Sequence, residues 1–147
     1  MVRIAHYLTE KAVECMLFDA AIFVSIALAV GFALLQLSLV FGAPLGEYVL
    51  GGKDKVLPMK MRVVSGGFFL AFVAAGLSFL QIAGIINERL SPLFVEILLI
   101  TYSAFLAYAI IGNGFLTKNK NERVVMTPCS ILGFLCSVIV LVYSYAL

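Results

Sequence analysis

The sequence predicts an all-α membrane protein: a bundle of four transmembrane helices, with a short β-hairpin-like loop between the first two. Three observations predict it. The chain is 63% hydrophobic and 12% charged over 147 residues, whereas a soluble domain carries about 25% charge. Its mean hydropathy is +1.13, so it has too little polar surface to cover itself in water. Four runs carry no charge at all: 20–41 (22 residues), 63–86 (24), 97–116 (20) and 124–147 (24). Each has the roughly 20 residues needed to cross about 30 Å of hydrocarbon. In lipid such runs must be helical, because every backbone N–H and C=O needs an internal partner.

The four helices are expected at about 18–41, 59–86, 92–116 and 124–146, in one domain spanning 1–147. The first follows a segment carrying Arg3, Glu10, Lys11, Glu14 and Asp19. That flank is acidic and the apolar run is long, so it reads as a retained transmembrane helix rather than a signal peptide. Gly42 and Pro44 stop it. Pro58 fits the first turn of the second helix. Asn87–Pro92 is a tight turn, which makes the second and third helices an antiparallel hairpin. Ser91-Pro92 supplies an N-cap and a Pro at N1 for the third. Arg62-Val63-Val64 and Arg123-Val124-Val125 form a faint internal echo of the kind a duplicated helix hairpin leaves, though three matching residues also arise by chance.

Basic residues orient the bundle. Arg3, Lys11 and Arg89 lie on one side; Lys53, Lys55, Lys60, Arg62, Lys118, Lys120 and Arg123 lie on the other, three against seven. The positive-inside rule places loops 42–62 and 116–124 in the cytoplasm and both termini outside.

Small residues recur every four positions: Ser25, Ala29, Ala33; Gly67, Ala71, Ala75; Cys129, Gly133, Ser137. Such stripes let helix backbones approach closely in lipid, within one bundle or between copies. The intramembrane polar residues are Gln36, Gln81, Asn113 and Glu96. Glu96 is the ionisable one, which marks it as a functional candidate. Its place in the first turns of a helix also suits an interfacial carboxylate. Gln36 and Gln81 are expected to hydrogen-bond between helices.

Several chemistries are excluded. The net charge of +2 is small and scattered, so no nucleic acid is expected as a partner. The single His6 cannot build a catalytic triad or a histidine-rich metal site. Cys15, Cys129 and Cys136 form no CxxC pair. Loop one, GAPLGEYVLGGKDKVLPMKMR, is not a phosphate-binding loop, because its Gly and Lys register lacks GxxxxGK[ST]. Its Gly51-Gly52 centre, flanked by short β-prone runs, is a hairpin signal. Tyr48, Val49, Leu50, Val56 and Leu57 make it apolar for a solvated turn. Glu47, Tyr48, Lys53, Lys55 and Arg62 are therefore the candidate ligand or partner surface, with Glu47 free to pair with Lys53 or Arg62. The cations would also gain about 1 kcal/mol each from anionic headgroups.

The pattern Gly42-x-Pro44-x-Gly46, Gly51-Gly52, Leu57-Pro58 and Arg62, with Asn119 or Asn121, Glu122-Arg123 and Pro128 in the last loop and helix, resembles small bacterial integral membrane proteins of about this length, described as hypothetical four-helix proteins. The resemblance spans loop one to the last helix. It implies a bacterial cell membrane and brings no activity with it. The chain is thus expected to be non-enzymatic, without catalytic, cofactor or metal residues, and to act by packing with itself or a membrane partner among lipids. The alternative is a subunit of a transporter or permeation pathway for a small solute or lipid. A lipid-acting membrane enzyme is the remaining reading.

Overall fold

A computed structural model describes residues 2–49, 51–87 and 90–145. Four helices dominate it: α1 (Val2–Val40), α2 (Met59–Ile82), α3 (Pro92–Ile111) and α4 (Lys120–Tyr145). A 3-10 turn, Gly46–Tyr48, lies in loop one, and a π-helical turn, Gly112–Leu116, extends α3. Among the described residues, four helical spans are long and apolar enough to cross a membrane.

The helix ends follow from local chemistry. At the end of α1, Gly42 takes φ +85°. The Ala43 N–H donates to the Ser38 carbonyl and the Gly42 N–H to the Leu39 carbonyl, both at 3.0 Å. That is the paired bonding of a Schellman cap, which needs a left-handed residue and so favours Gly. The same device ends α2: Gly84 has φ +68°, and Ile85 and Gly84 donate to Leu80 and Gln81. It stops α2 at Ile82, four residues before the expected end at 86. Pro58 stands just outside α2, at its N-cap. Ser91 caps α3 through its Oγ, 3.4 Å from the Phe94 N–H, with Pro92 at N1.

α1 begins far ahead of the expected position 18. Its 39 residues measure about 58 Å at 1.5 Å per residue, roughly twice the hydrocarbon thickness. Charged Glu, Lys and Arg end a hydrophobic run, yet they are good helix formers. No Gly or Pro precedes Gly31, so nothing stops the helix from running on. Residues 6, 7 and 9–17 are all exposed, and this part of α1 is an arm beyond the bundle.

α1 packs on α2 and on α4, and α3 packs on α4, whereas the α2 and α3 backbones stay further apart and meet chiefly through their aromatic rings. The core joins Ile22, Ala29, Phe72, Phe79, Leu99, Tyr102, Leu106 and Val140. Tyr102 sits edge-on to Phe79, with ring centroids 5.5 Å apart. The α1 stripe Ser25, Ala29, Ala33 is buried, and a Cβ on Gly76 would come within 3.7 Å of the Ala29 Cβ. Gly133 allows a close approach where α4 meets α3: a Cβ there would lie 3.0 Å from Leu106 Cδ1, so the leucine would have to shift. The Ser103 hydroxyl donates to Ser137 Oγ across the same contact at 2.9 Å. Gly67 and Ala71, by contrast, are exposed on the outer face of α2.

The expected β-hairpin in loop one is not present: the described residues contain no strand. The Gly46 N–H does cross the loop to the Lys55 carbonyl at 2.9 Å, but a single bond makes no ladder. Instead Val49 and Leu57 are buried against Leu39, with Leu35, Leu45, Tyr48 and Met126 around them. The apolar residues of this turn therefore plug the end of the bundle. Val56 stays exposed. Leu50, Arg89 and residue 146 of the expected readings lie outside the described residues.

Candidate functional site

Loops one and three meet at the same end of the bundle, and all seven of their cations gather there. The junction is built from the first turn of α4. Asn119 precedes it, and its Oδ1 accepts the Asn121 N–H at 2.8 Å and the Glu122 N–H at 3.4 Å. This is N-capping, which satisfies donors that no helical carbonyl reaches. The other end of the same amide reaches loop one. Asn119 Nδ2 donates to the carbonyls of Glu47 at 2.8 Å and Gly52 at 3.1 Å.

Glu122 stands at the third helical position, where a capping-box carboxylate would turn back to the N-cap. Here it turns elsewhere. Its Oε2 accepts the Thr117 hydroxyl at 2.7 Å, and its Oε1 accepts the Gly51 N–H at 3.2 Å. Thr117 Oγ1 in turn accepts the Asn119 N–H at 3.3 Å. Arg123 donates to the Thr117 carbonyl at 2.9 Å. Glu122 is only 4% exposed, and among the described residues it meets no cation within ion-pair distance.

Beside this latch lies a cavity of about 390 Å³, lined by residues of all four helices and loop one. Its inner wall is aromatic: Phe32 of α1, Phe68 and Phe72 of α2, and Phe105 of α3. Centroids of successive ring pairs are 5.2 Å (Phe32–Phe72), 5.7 Å (Phe72–Phe105) and 5.3 Å (Phe105–Phe68) apart. Gln36, Tyr108, Asn113, Thr117, Glu122 and Ser130 carry its polar side-chain groups. Gln36 is buried and its Oε1 has no hydrogen-bond partner, an omission that costs roughly 1–3 kcal/mol. Tyr108 and Leu116 line the cavity and are 67% and 68% exposed, so it reaches the outer face of α3. Tyr108 lies eight residues before Leu116 on that helix, about 12 Å deeper at 1.5 Å per residue. Gly51 of loop one also lines the cavity and is exposed, so the cavity reaches the surface on α3 and beside the loop. The π-helical turn forms part of this wall through Gly112, Asn113 and Leu116; such turns recur at functional positions.

The expected site residues divide between the two ends. Gln36 and Asn113 meet at the cavity. Glu47 contributes its backbone carbonyl to the Asn119 clamp, and its carboxylate pairs with neither Lys53 nor Arg62. Tyr48 packs on the Leu39 cluster. Lys53 and Lys55 are exposed. Arg62 donates from Nε to the Leu57 carbonyl at 2.9 Å. Its guanidinium covers Gly42, where an added Cβ would lie 2.8 Å from it. Glu96 and Gln81 belong to the opposite end. Glu96 is half-buried in the first turns of α3. Gln81 pairs with the backbone of Leu90, donating to its carbonyl at 2.9 Å and accepting its N–H at 3.0 Å. Glu122, Thr117 and Asn119 were not among the expected site residues. The Asn-x-x-Glu spacing of 119 and 122 is the signal that marks them.

Among the described residues no three His, Cys, Asp or Glu side chains converge as a metal site would require. No protein-family model matches the chain, and no curated protein or solved structure matches it. The site is therefore read from its own geometry, in a chain whose four apolar helices suit a small membrane-embedded protein.

Proposed function

We propose that this chain is a small, non-enzymatic membrane protein that binds an amphiphilic small molecule or lipid, alone or as a subunit of a permeation pathway. The observation that carries the reading is the cavity beside the latch, with its aromatic wall, its few buried polar groups and its opening on the exposed face of α3. Ligand sites are typically concave, mostly apolar, and of about 300–1,000 Å³ with a small number of placed polar groups. The latch of Asn119 and Glu122 narrows the loop end, and in this reading the ligand enters across the exposed face of α3 from the bilayer. Loops one and three face the cytoplasm in this reading, where their seven cations meet anionic headgroups.

A lipid carrying a diazirine on its acyl chain, in nanodiscs, tests the binding. Crosslinks should concentrate on Phe68, Phe105 and Leu116 and fall sharply in an Ala109→Phe variant that fills the cavity. Crosslinks spread evenly over all outer helix faces would sink the reading. A second reading, packing against another copy or a membrane partner, is favoured by the exposed Gly67–Ala71 face of α2 and the exposed α1 residues 10–17. Native mass spectrometry of the chain released from nanodiscs separates a monomer from an oligomer.

A further inference from the structure

The cavity's chemistry selects among ligands. Two of its buried acceptors are not fully used. The Glu122 carboxylate takes hydrogen bonds from the Thr117 hydroxyl and the Gly51 N–H, both neutral. Two carboxylate oxygens offer about four acceptor positions, so roughly two are unused. Gln36 Oε1 is a further buried acceptor without a donor. No Lys, Arg or His is found among the described lining residues. A buried carboxylate without a cation is unfavourable, and a cationic partner offsets that cost.

The same cavity is lined by the Phe32–Phe72–Phe105–Phe68 cluster. Ring quadrupoles attract a cation within about 6 Å of the centroid, most strongly where water is excluded. An anionic ligand would face the Glu122 carboxylate and the Gln36 carbonyl. An uncharged apolar ligand would leave both without a donor. We propose that the cavity beside the latch holds an organic cation: an ammonium group on an apolar body. The inference rests on the reading of the cavity as a binding site. It adds the charge of the ligand and names Glu122 and Gln36 as the groups that select it.

The test uses the full chain in phosphatidylglycerol nanodiscs. The probe is 2-phenylethylammonium, which carries three N–H donors, beside propylbenzene, its uncharged carbon isostere. The ammonium should bind saturably and about tenfold or more tightly than the isostere. Glu122→Gln, nearly equal in shape, should remove most of that preference. Gln36→Leu lies outside the latch and should weaken the ammonium several-fold while leaving the isostere unchanged, which keeps the result independent of any loosening of the loops. Phosphatidylethanolamine that competes with the probe identifies a lipid ammonium as the occupant; binding undisturbed by it identifies a free cation. Both outcomes support the proposal. Equal affinity for probe and isostere, both abolished by Ala109→Phe, overturns the cation and leaves the cavity as a binding site. No saturable binding of either compound, together with evenly spread lipid crosslinks, overturns the cavity reading as well.

Discussion

Gly52 and Asn119 touch so closely that a methyl group on Gly52 would lie 2.6 Å from the Asn119 amide carbon. Gly52 also holds φ +60°, a conformation that costs an L-residue roughly 1–2 kcal/mol. Gly51 has φ +85° but open space around its missing Cβ. Gly52→Ala should therefore lower the thermal midpoint in detergent by clearly more than Gly51→Ala, which bears only the backbone strain. Equal losses would mean that the contact with Asn119 does not constrain the loop.

Asn119 does two jobs that one substitution separates. Asp caps helices about as well as Asn, but a carboxylate has no N–H to offer the carbonyls of Glu47 and Gly52. Asn119→Asp should free loop one, at a cost of about 1–3 kcal/mol, while the first turn of α4 stays formed. Hydrogen exchange is the readout: the amides of Gly46 and Gly52 should exchange faster and those of Asn121 and Glu122 should not. Unchanged exchange in loop one would show the clamp to be idle.

The α3–α4 contact tests packing against hydrogen bonding. Ser137→Ala removes the bond from Ser103, and such bonds in membrane helices average about 0.6 kcal/mol. Gly133→Val drives a branched side chain into Leu106 and Leu28, whose nearest atoms stand 3.0 and 3.4 Å from an added Cβ. Overpacking of that kind costs about 1–3 kcal/mol. The valine variant should be the less stable of the two in chemical unfolding from micelles; the reverse order would place the stability in the serine pair.

The proposed orientation has a direct check. With Cys15, Cys129 and Cys136 replaced by Ala, Lys55→Cys should react with a membrane-impermeant maleimide only from the cytoplasmic side, and Val13→Cys only from the outside. The opposite pattern reverses the topology.

The spans were legible because hydrophobic runs of this length have one solution in lipid. Their ends were legible only where a Gly or Pro marked them. Gly42 was read correctly. Gly84 was passed over because the residues around it are apolar, and hydropathy does not register a left-handed φ. The arm of α1 was hidden for the opposite reason: charges end a hydropathy run without ending a helix. Loop one misled because Val49 and Leu57 suit a strand, yet β-propensity largely reflects packing, and here these side chains pack onto Leu39. Gln36 and Asn113 were visible as polar residues in apolar runs. Glu122 stands in the sequence only as part of the Glu122-Arg123 motif, and nothing in one dimension says that Gly51, 71 residues away, donates to it.

The wider backbone spacing between α2 and α3 has a mechanical side. α1 with α2, and α3 with α4, form two tightly packed leaves, joined along the seam of α1 and α4. Rotation about that seam would widen or shut the cavity's opening without disturbing the Ala29–Gly76 approach or the Ser103–Ser137 bond, since each lies within one leaf. Ring contacts of Phe68, Phe72 and Phe79 with Tyr102 and Phe105 cross between the leaves, and two hydrogen-bonded clasps limit the swing further. Asn119 and Glu122 tie the leaves at one end, and Gln81 holds Leu90 at the other. The edge between the clasps behaves like the fore-edge of a book fastened at top and bottom. Spin labels placed on α2 and α3 at that edge would report its gape as a distance distribution, broadened when the Asn119 clasp is cut.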